Sequence, residues 1–196
     1  MLLFWLLVND IVQSIDLSHL ERAGSLYSGL HWTNAVSKKI GIDRKRFNSI
    51  FKGDRQLSVG VFTDILLALN EVNEQRAVSR QKLAFALENY SNDLVKLDEL
   101  LTSRDFENIS ILLFGNLWKE PIAKLLGFNE NYSESRVNRL LNDRKPIYLR
   151  AWQVIFEALE KRFDETELFI KEMLKQYPEV SVLYNERSKS LPQSKD

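Results

Sequence analysis

The sequence contains no cysteine, and only four of its 196 residues are proline and seven are glycine. Without cysteine, the chain can form neither a disulfide nor a cysteine-ligated metal site. So few turn-forming residues argue against a sheet protein, which would need many tight turns. Apolar residues recur instead at spacings of three and four, without a persistent alternation of two. The sequence therefore predicts an all-α protein.

The chain also lacks an excess of charge, because 27 basic residues balance 27 acidic ones. Any positive surface must therefore arise by segregation of charge. The two histidines, His19 and His31, have no spacing typical of metal ligands, and the glycines form no phosphate-binding loop. Carboxylates such as Asp164, Glu165 and Glu167 lie in charged helical stretches, where solvation is their usual role. We therefore expect neither an enzyme nor a metal or other cofactor.

The longest apolar run is short and stands at residues 1–8, MLLFWLLV. Roughly 20 apolar residues are needed to span a bilayer, and no positive segment of the kind found in signal peptides precedes this run. Its continuation through Ile11, Val12 and Ile15 favours a buried amphipathic helix or a self-association surface. A membrane-associated segment and a mis-assigned start of the sequence are the other interpretations. We expect a cytoplasmic protein without membrane contact.

An internal repeat organises the rest of the chain. Residues 32–41, WTNAVSKKIG, align without a gap with residues 118–127, WKEPIAKLLG, 86 positions later. After four extra residues in the second copy the offset becomes 90, and the apolar positions coincide again from Arg46 and Arg136 onward. Two copies of one α-helical unit are the economical interpretation.

The repeat suggests a division of the chain into a first unit at 1–72, which includes the apolar N-terminal helix, and a second unit at 105–180. Residues 73–104 between them predict a connecting helix, and the polar residues 181–196 predict a flexible tail. The connecting segment carries a heptad stripe that can form a dimerising coiled coil or pack against the flanking units, and its short length favours packing. The stripe consists of Leu83, Leu87, Tyr90, Leu94, Leu97 and Leu101.

Residues 36–58 of the first copy, VSKKIGIDRKRFNSIFKGDRQLS, have the features of two helices joined by a tight turn. Ser37 is small where the second helix must approach, Gly41 suits a left-handed turn, and Asp43 is a good N-cap. Phe47 and Ile50 are spaced to face inward. This segment resembles the helix-turn-helix of the lambda-repressor and Cro-like proteins, the XRE family, and the second copy resembles it less closely.

The resemblance implies two tandem DNA-binding units, each with a recognition helix whose N-terminal part enters the major groove. Between positions 38 and 55, seven basic residues stand against two acidic ones, so this segment supplies segregated positive charge. The residues of the first unit suited to contact bases or phosphates are Lys38, Lys39, Arg44, Lys45, Asn48, Ser49, Lys52 and Arg55.

The second copy departs from the family's pattern at two places. Four extra residues within 129–133 lengthen its turn, and Glu134 and Ser135 stand where the first copy has Arg44 and Lys45. This copy can contact DNA or serve a protein partner, and its sequence leaves both open. Its candidates for DNA contact are Arg136, Asn138, Arg139, Arg144 and Lys145.

These features predict a sequence-specific regulator of transcription that binds double-stranded DNA. A repressor from a phage or another mobile element is the favoured interpretation. Linked units on one chain can span two half-sites, or a homodimer through residues 1–15 or the 83–101 stripe can present two first units. The alternative is a protein-interaction module on the same scaffold, such as an antitoxin or a defence antagonist, that inhibits or recruits another protein.

Overall fold

The computed structural model describes residues 14–29, 32–128, 133–142 and 147–190. This part of the chain is helical and has no strand, which confirms the predicted all-α class. The apolar segment 1–13 and His31 lie outside the described residues. The helices are α1 (Leu17–Ser28), α2 (Trp32–Lys39), α3 (Arg44–Phe51), α4 (Val59–Tyr90), α5 (Leu94–Leu100), α6 (Ser103–Phe114), α7 (Lys119–Leu125), α8 (Ser133–Asn142), α9 (Leu149–Gln176) and α10 (Pro178–Ser190).

Side-chain caps explain where several helices begin. The carboxylate of Asp16 accepts a hydrogen bond from the amide of Ser18 at 2.8 Å at the start of α1, and Ser58 caps α4 through its hydroxyl. At α6 the caps are reciprocal, because the Thr102 hydroxyl accepts from the amide of Asp105 while the Asp105 carboxylate accepts from the amide of Thr102. Such caps supply acceptors to amide groups that have no partner within the helix.

The buried apolar side chains form two hydrophobic cores. The first core is built by α1, α2, α3, the first half of α4, the second half of α9 and α10, and includes Phe47, Phe62 and Phe169. The second core is built by the second half of α4, α5, α6, α7, α8 and the first half of α9, around Phe106 and Trp152. Each core therefore needs one half of each long helix.

The two long helices, α4 with 32 residues and α9 with 28, make the most extensive helix pair in the described part of the chain. Because α4 runs from the first core to the second and α9 runs from the second to the first, they are antiparallel. At 1.5 Å per residue they are about 48 and 42 Å long, enough to pass through both cores. Their crossing joins the two cores into one body.

A fully buried charged side chain, Arg76 of α4, lies between the cores. Its guanidinium donates to the carbonyl of Leu26 at 2.6 Å, to the carbonyl of Leu112 at 2.8 and 2.9 Å, and to the hydroxyl of Thr166 at 3.0 Å. Leu26 and Leu112 lie in the last turns of α1 and α6, where carbonyls lack partners within the helix and the helix dipole is negative. One cation therefore caps the C-terminal ends of two helices.

The charge of Arg76 is held by dipoles. Burial, with a smaller contribution from the positive charge of Arg162, lowers the pKa of Arg76 to about 9. The guanidinium therefore stays charged at neutral pH. Its acceptors among the described residues are carbonyl and hydroxyl oxygens and include no carboxylate. The helix ends thus supply the electrostatic stabilisation that an ion pair would otherwise provide.

The segment 73–104 differs from the predicted connecting helix. Its first part is the second half of α4, which ends at Tyr90, and a separate α5 follows after residues 91–93. The chain breaks there because the side chain of Asp93 caps α5 by accepting from the amide of Lys96. Leu83, Leu97 and Leu101 of the heptad stripe are buried in the second core, whereas Leu94 is 55% exposed. Most of the stripe therefore packs within the chain, and the break prevents a continuous coiled coil.

The predicted tail also differs, because α10 continues as far as Ser190. Val180 is fully buried in the first core, and Arg187 forms an ion pair with Asp64 of α4. The polar residues of this segment are the solvated face of a docked helix, which composition alone does not distinguish from an unfolded tail. Residues 191–196 lie outside the described part. The two predicted units are also not separate, since the second half of α9, which belongs to the second unit, completes the first core.

We predict that Arg76→Met lowers the free energy of unfolding by about 3 kcal/mol, because the carbonyls at two buried helix ends lose their donor. Chemical denaturation followed by circular dichroism measures the loss. Arg80→Met is the matched control on the same helix. Arg80 is only half-buried, lies over the ring of Phe163 and faces Asp164 at 3.9 Å, so its loss should cost about 1 kcal/mol. Equal losses in the two variants would contradict the capping role of Arg76.

Candidate nucleic-acid interface

The turn between α2 and α3 follows from two residues. Gly41 has a φ of 70°, a left-handed backbone that favours glycine. The carboxylate of Asp43 accepts hydrogen bonds from the amides of Lys45 at 2.9 Å and Arg46 at 3.2 Å, so it caps α3. The turn and the cap are both as predicted from the sequence, and together they set the direction in which α3 leaves α2.

The inner face of α3 packs on the first core. Phe47 is fully buried and Ile50 is 3% exposed, as their spacing predicts. The indole of Trp32 in α2 packs edge-to-face against the rings of Phe47 and Phe51, with centroids 5.8 and 5.3 Å apart. Ser37 is buried on α2, and its hydroxyl donates to the carbonyl of Asn34, so this small polar residue is accommodated where the helices approach.

The position of α2 depends on a close approach to α1. A Cβ atom at Gly24 would lie 1.9 Å from the indole of Trp32, so glycine is required for the helices to pack at this distance. Trp32 is 5% exposed and contacts α3 on its other side. A continuous line of contacts therefore runs from α1 through Trp32 to α3.

The other face of α3 is basic and exposed. Arg44, Lys45 and Arg46 are exposed, and none forms an ion pair with an acidic side chain in the described part of the chain. No acidic residue occurs within α3. The remaining residues predicted to contact DNA from this helix and the loop after it are the half-buried Asn48 and Ser49 and the exposed Lys52 and Arg55.

The two lysines at the end of α2 have different surroundings. Lys38 is exposed, whereas Lys39 forms an ion pair with Glu71 of α4 at 2.5 Å. The side chains of that pair are 37% and 51% exposed, so it stabilises the fold only slightly. Lys39 therefore contacts α4 in this structure, and Lys38 is the lysine of α2 that is open to a ligand.

α7 and α8 share with α2 and α3 a turn glycine in the left-handed region and a buried inner face, and differ in the chemistry of the exposed side. Gly127 has a φ of 70°, and Val137 and Leu140 are buried on the inner face of α8. Glu134 and Ser135 are exposed in its first turn, where α3 has two basic residues. The repeat therefore preserves the packing and changes the charge. The longer turn at 129–132 lies outside the described residues.

Other side chains engage part of the polar face of α8. Arg136 is exposed and lies 5.7 Å from the centre of the Phe128 ring. The half-buried Asn138 accepts a hydrogen bond from Nζ of Lys119 at 2.9 Å. Arg139 is exposed and has no ion pair with a described residue. The two other residues predicted for this face, Arg144 and Lys145, lie outside the described part.

A cleft with a volume of about 660 Å³ lies between the two arrangements. Carboxylates and lysines both line it, including Lys119, Glu120 and Glu134. Leu117 at its edge is 61% exposed. The mixture of charges favours neither an anion nor a cation in the cleft.

The described residues contain no group of three or more histidine or acidic side chains that could hold a metal ion. Nδ1 of His19 lies 3.0 Å from the hydroxyl of Tyr177, and its ring packs edge-on against Tyr177 and Phe169. These contacts explain His19 as a residue at the margin of the first core. No helix within the described ranges combines the length and the apolar character needed to cross a membrane.

Comparisons of the chain with family models, with curated proteins and with solved structures found no match.

We predict that alanine at two glycines will have different costs. Gly24→Ala should lower the free energy of unfolding by about 3 kcal/mol, because its Cβ collides with Trp32. Gly41→Ala should cost about 1 kcal/mol, all from the left-handed backbone, since no atom beyond the neighbouring residues of the chain lies within 4 Å of the new Cβ. Denaturant unfolding measures both. A cost for Gly41→Ala as large as that for Gly24→Ala would show that the turn depends on more than its backbone angle.

Proposed function

We propose that the chain binds double-stranded DNA and regulates transcription, with α2 and α3 acting as a helix-turn-helix and α7 and α8 as a second, divergent one. The observation that carries the proposal is the two-sided character of α3. One side of this helix is buried and fixed by Trp32 and Phe47, and the other presents Arg44, Lys45 and Arg46 to solvent. Membership of the XRE family is part of the same proposal and rests on the resemblance of residues 33–58.

The chemistry of α3 suits contact with a major groove. Arg44 stands in its first turn, the part of a recognition helix that reaches base edges, and an arginine can donate two hydrogen bonds to guanine. Asn48 follows one turn later, and its amide can both donate to and accept from adenine. The exposed Lys38, Lys52 and Arg55 around the helix suit phosphate contacts, which supply most of the affinity for DNA.

The chemistry of α8 suits weaker and less specific contact. Arg136 and Arg139 are exposed and can approach phosphates. Glu134 in the first turn repels them, and Asn138 is already held by Lys119. We therefore expect α8 to add contacts to the DNA backbone and little base specificity.

A protein-binding role on the same fold is the second candidate. Exposed apolar residues on α4 and α5 favour it, because Val78, Phe85, Leu94 and Val95 are each more than half exposed. In that case the chain would act as an antitoxin or a defence antagonist, and the basic face of α3 would not select a DNA sequence.

Selection of bound fragments from genomic duplex DNA tests the proposal. We expect the full chain to enrich a defined sequence, with affinity that falls steeply as salt rises. Arg44→Ala with Lys45→Ala should weaken binding to that sequence on the order of 10- to 100-fold and relax the base preference. Fluorescence anisotropy with the selected and a scrambled duplex measures both effects.

Lys171→Ala with Lys175→Ala is the matched control, because it removes the same charge from exposed positions of α9. It should change affinity by no more than about twofold. If both double variants weaken DNA binding equally, the loss at α3 comes from the change in net charge and not from contacts made by Arg44 and Lys45. A chain that enriches no sequence would overturn the proposal and favour the protein-binding candidate.

Lys52→Ala provides a separate prediction about phosphate contact. Lys52 follows the last turn of α3 and is exposed. Its loss should weaken binding to selected and scrambled duplexes alike, and should reduce the slope of log affinity against log salt by about 1. Titrations at several salt concentrations measure the slope. A loss confined to the selected sequence would assign Lys52 to base contact instead.

A further inference from the structure

Residues related by the sequence repeat contact each other at the centre of the molecule. A Cβ atom at Gly29 would lie 3.0 Å from the carbonyl oxygen of Phe114, and one at Gly115 would lie 2.5 Å from the carbonyl oxygen of Ser28. Ser28 and Phe114 are 86 positions apart, as are Gly29 and Gly115, which is the offset of the repeat in this region. Reciprocal contact of this kind is the signature of a two-fold axis.

Contacts between α4 and α9 join residues that are 90 positions apart, which is the offset of the repeat in its second part. Arg76 donates to Thr166 at 3.0 Å, and Nδ2 of Asn73 donates to the carbonyl of Phe163 at 3.3 Å. The members of each pair are 90 positions apart. The two carbonyls that Arg76 caps belong to equivalent positions in α1 and α6. The axis therefore passes close to the guanidinium of Arg76.

The helices themselves correspond in the same way. α1 and α6 each have 12 residues and begin 86 positions apart, and α4 and α9 begin 90 positions apart. α4 and α9, the last helices of the two copies, each pass from one core into the other. This is the architecture of a two-fold dimer with exchanged helices, formed within one chain.

The residues on the axis make the two halves unequal. In a homodimer a residue on the axis meets its own copy, and two buried arginines would repel each other. Here Thr166 occupies the position equivalent to Arg76, so one cation meets one hydroxyl group. The pairing is satisfied only between two different halves.

We infer that one chain is the complete DNA-binding unit, and that its ligand is a duplex with two unlike half-sites, one for α3 and one for α8. The inference rests on the proposed function. In helix-turn-helix proteins, two recognition helices related by a two-fold axis bind half-sites that are about one helical turn of DNA, roughly 34 Å, apart. The half that faces α3 has a defined base sequence. The half that faces α8 tolerates base changes, because Glu134 and the engaged Asn138 leave Arg136 and Arg139 to contact phosphates.

Native mass spectrometry and hydroxyl-radical footprinting of the full chain on its selected duplex test this inference. We expect one chain per duplex and two adjacent protected regions. Arg44→Ala with Lys45→Ala should remove protection from one region, and Arg136→Ala with Arg139→Ala from the other. Scrambling the bases of the α3 half should weaken binding roughly 100-fold or more, and scrambling the α8 half by less than about 10-fold.

The outcomes separate this inference from the function on which it rests. Two chains on a palindromic duplex would overturn the inference and leave DNA binding intact. Loss of protection from the same region in both double variants would do the same, because α3 and α8 would then contact one region of the duplex and not two half-sites. If the folded chain selects no DNA sequence, the proposed function fails and the two-half ligand fails with it.

Discussion

The guanidinium of Arg76 is the interaction on which the arrangement of the two cores depends. It lies where α4 crosses α9 and donates to the last-turn carbonyls of both α1 and α6. The guanidinium has five N–H donors, enough to bond the carbonyls of both helix ends at once, and a charge without those carbonyls could not remain buried. The two helix ends and the cation therefore require each other. Because α4 and α9 continue from this point into opposite cores, each core is placed relative to the other.

The position of the candidate interface depends on the same arrangement of α1, α4, α6 and α9 around Arg76. α1 is capped by Arg76 at one end, and it receives Trp32 at Gly24, where only glycine leaves room. Trp32 packs on Phe47, and Phe47 holds the inner face of α3. The basic face of α3 is thus fixed by a line of packed side chains that begins at the centre of the molecule. The arginine and lysine side chains of that face are exposed, whereas the helix that carries them is packed on the first core.

The exposed faces of α3 and α8 differ in charge although the two helices occupy equivalent positions in the repeat. Burial constrains the inner faces of α3 and α8 in the same way, so the repeat preserves apolar residues there. The outer faces contact no core and were free to diverge, to basic residues in the first turn of α3 and to Glu134 and Ser135 in α8. The copies also differ where α4 crosses α9, because Thr166 stands opposite Arg76 at the equivalent position of the repeat. The two copies of the repeat therefore share their buried positions and differ on their exposed faces and at their point of contact.

The sequence by itself determined the features that act within a few residues. The all-α class, the repeat, the cap at Asp43, the turn at Gly41 and the inward face of Phe47 follow from periodicity, capping and backbone preference, which are local. Only the tertiary structure decided which core each part of a helix joins. The stripe at 83–101 and the segment after residue 181 have ambiguous patterns, since an apolar stripe can pack within a chain or between chains. The ion pair of Lys39 and the contacts of Asn138 and Arg76 also required the structure. Arg76 bonds groups 36, 50 and 90 positions away. The last separation equals an offset of the repeat, but a repeat in the sequence does not show that its two copies contact each other.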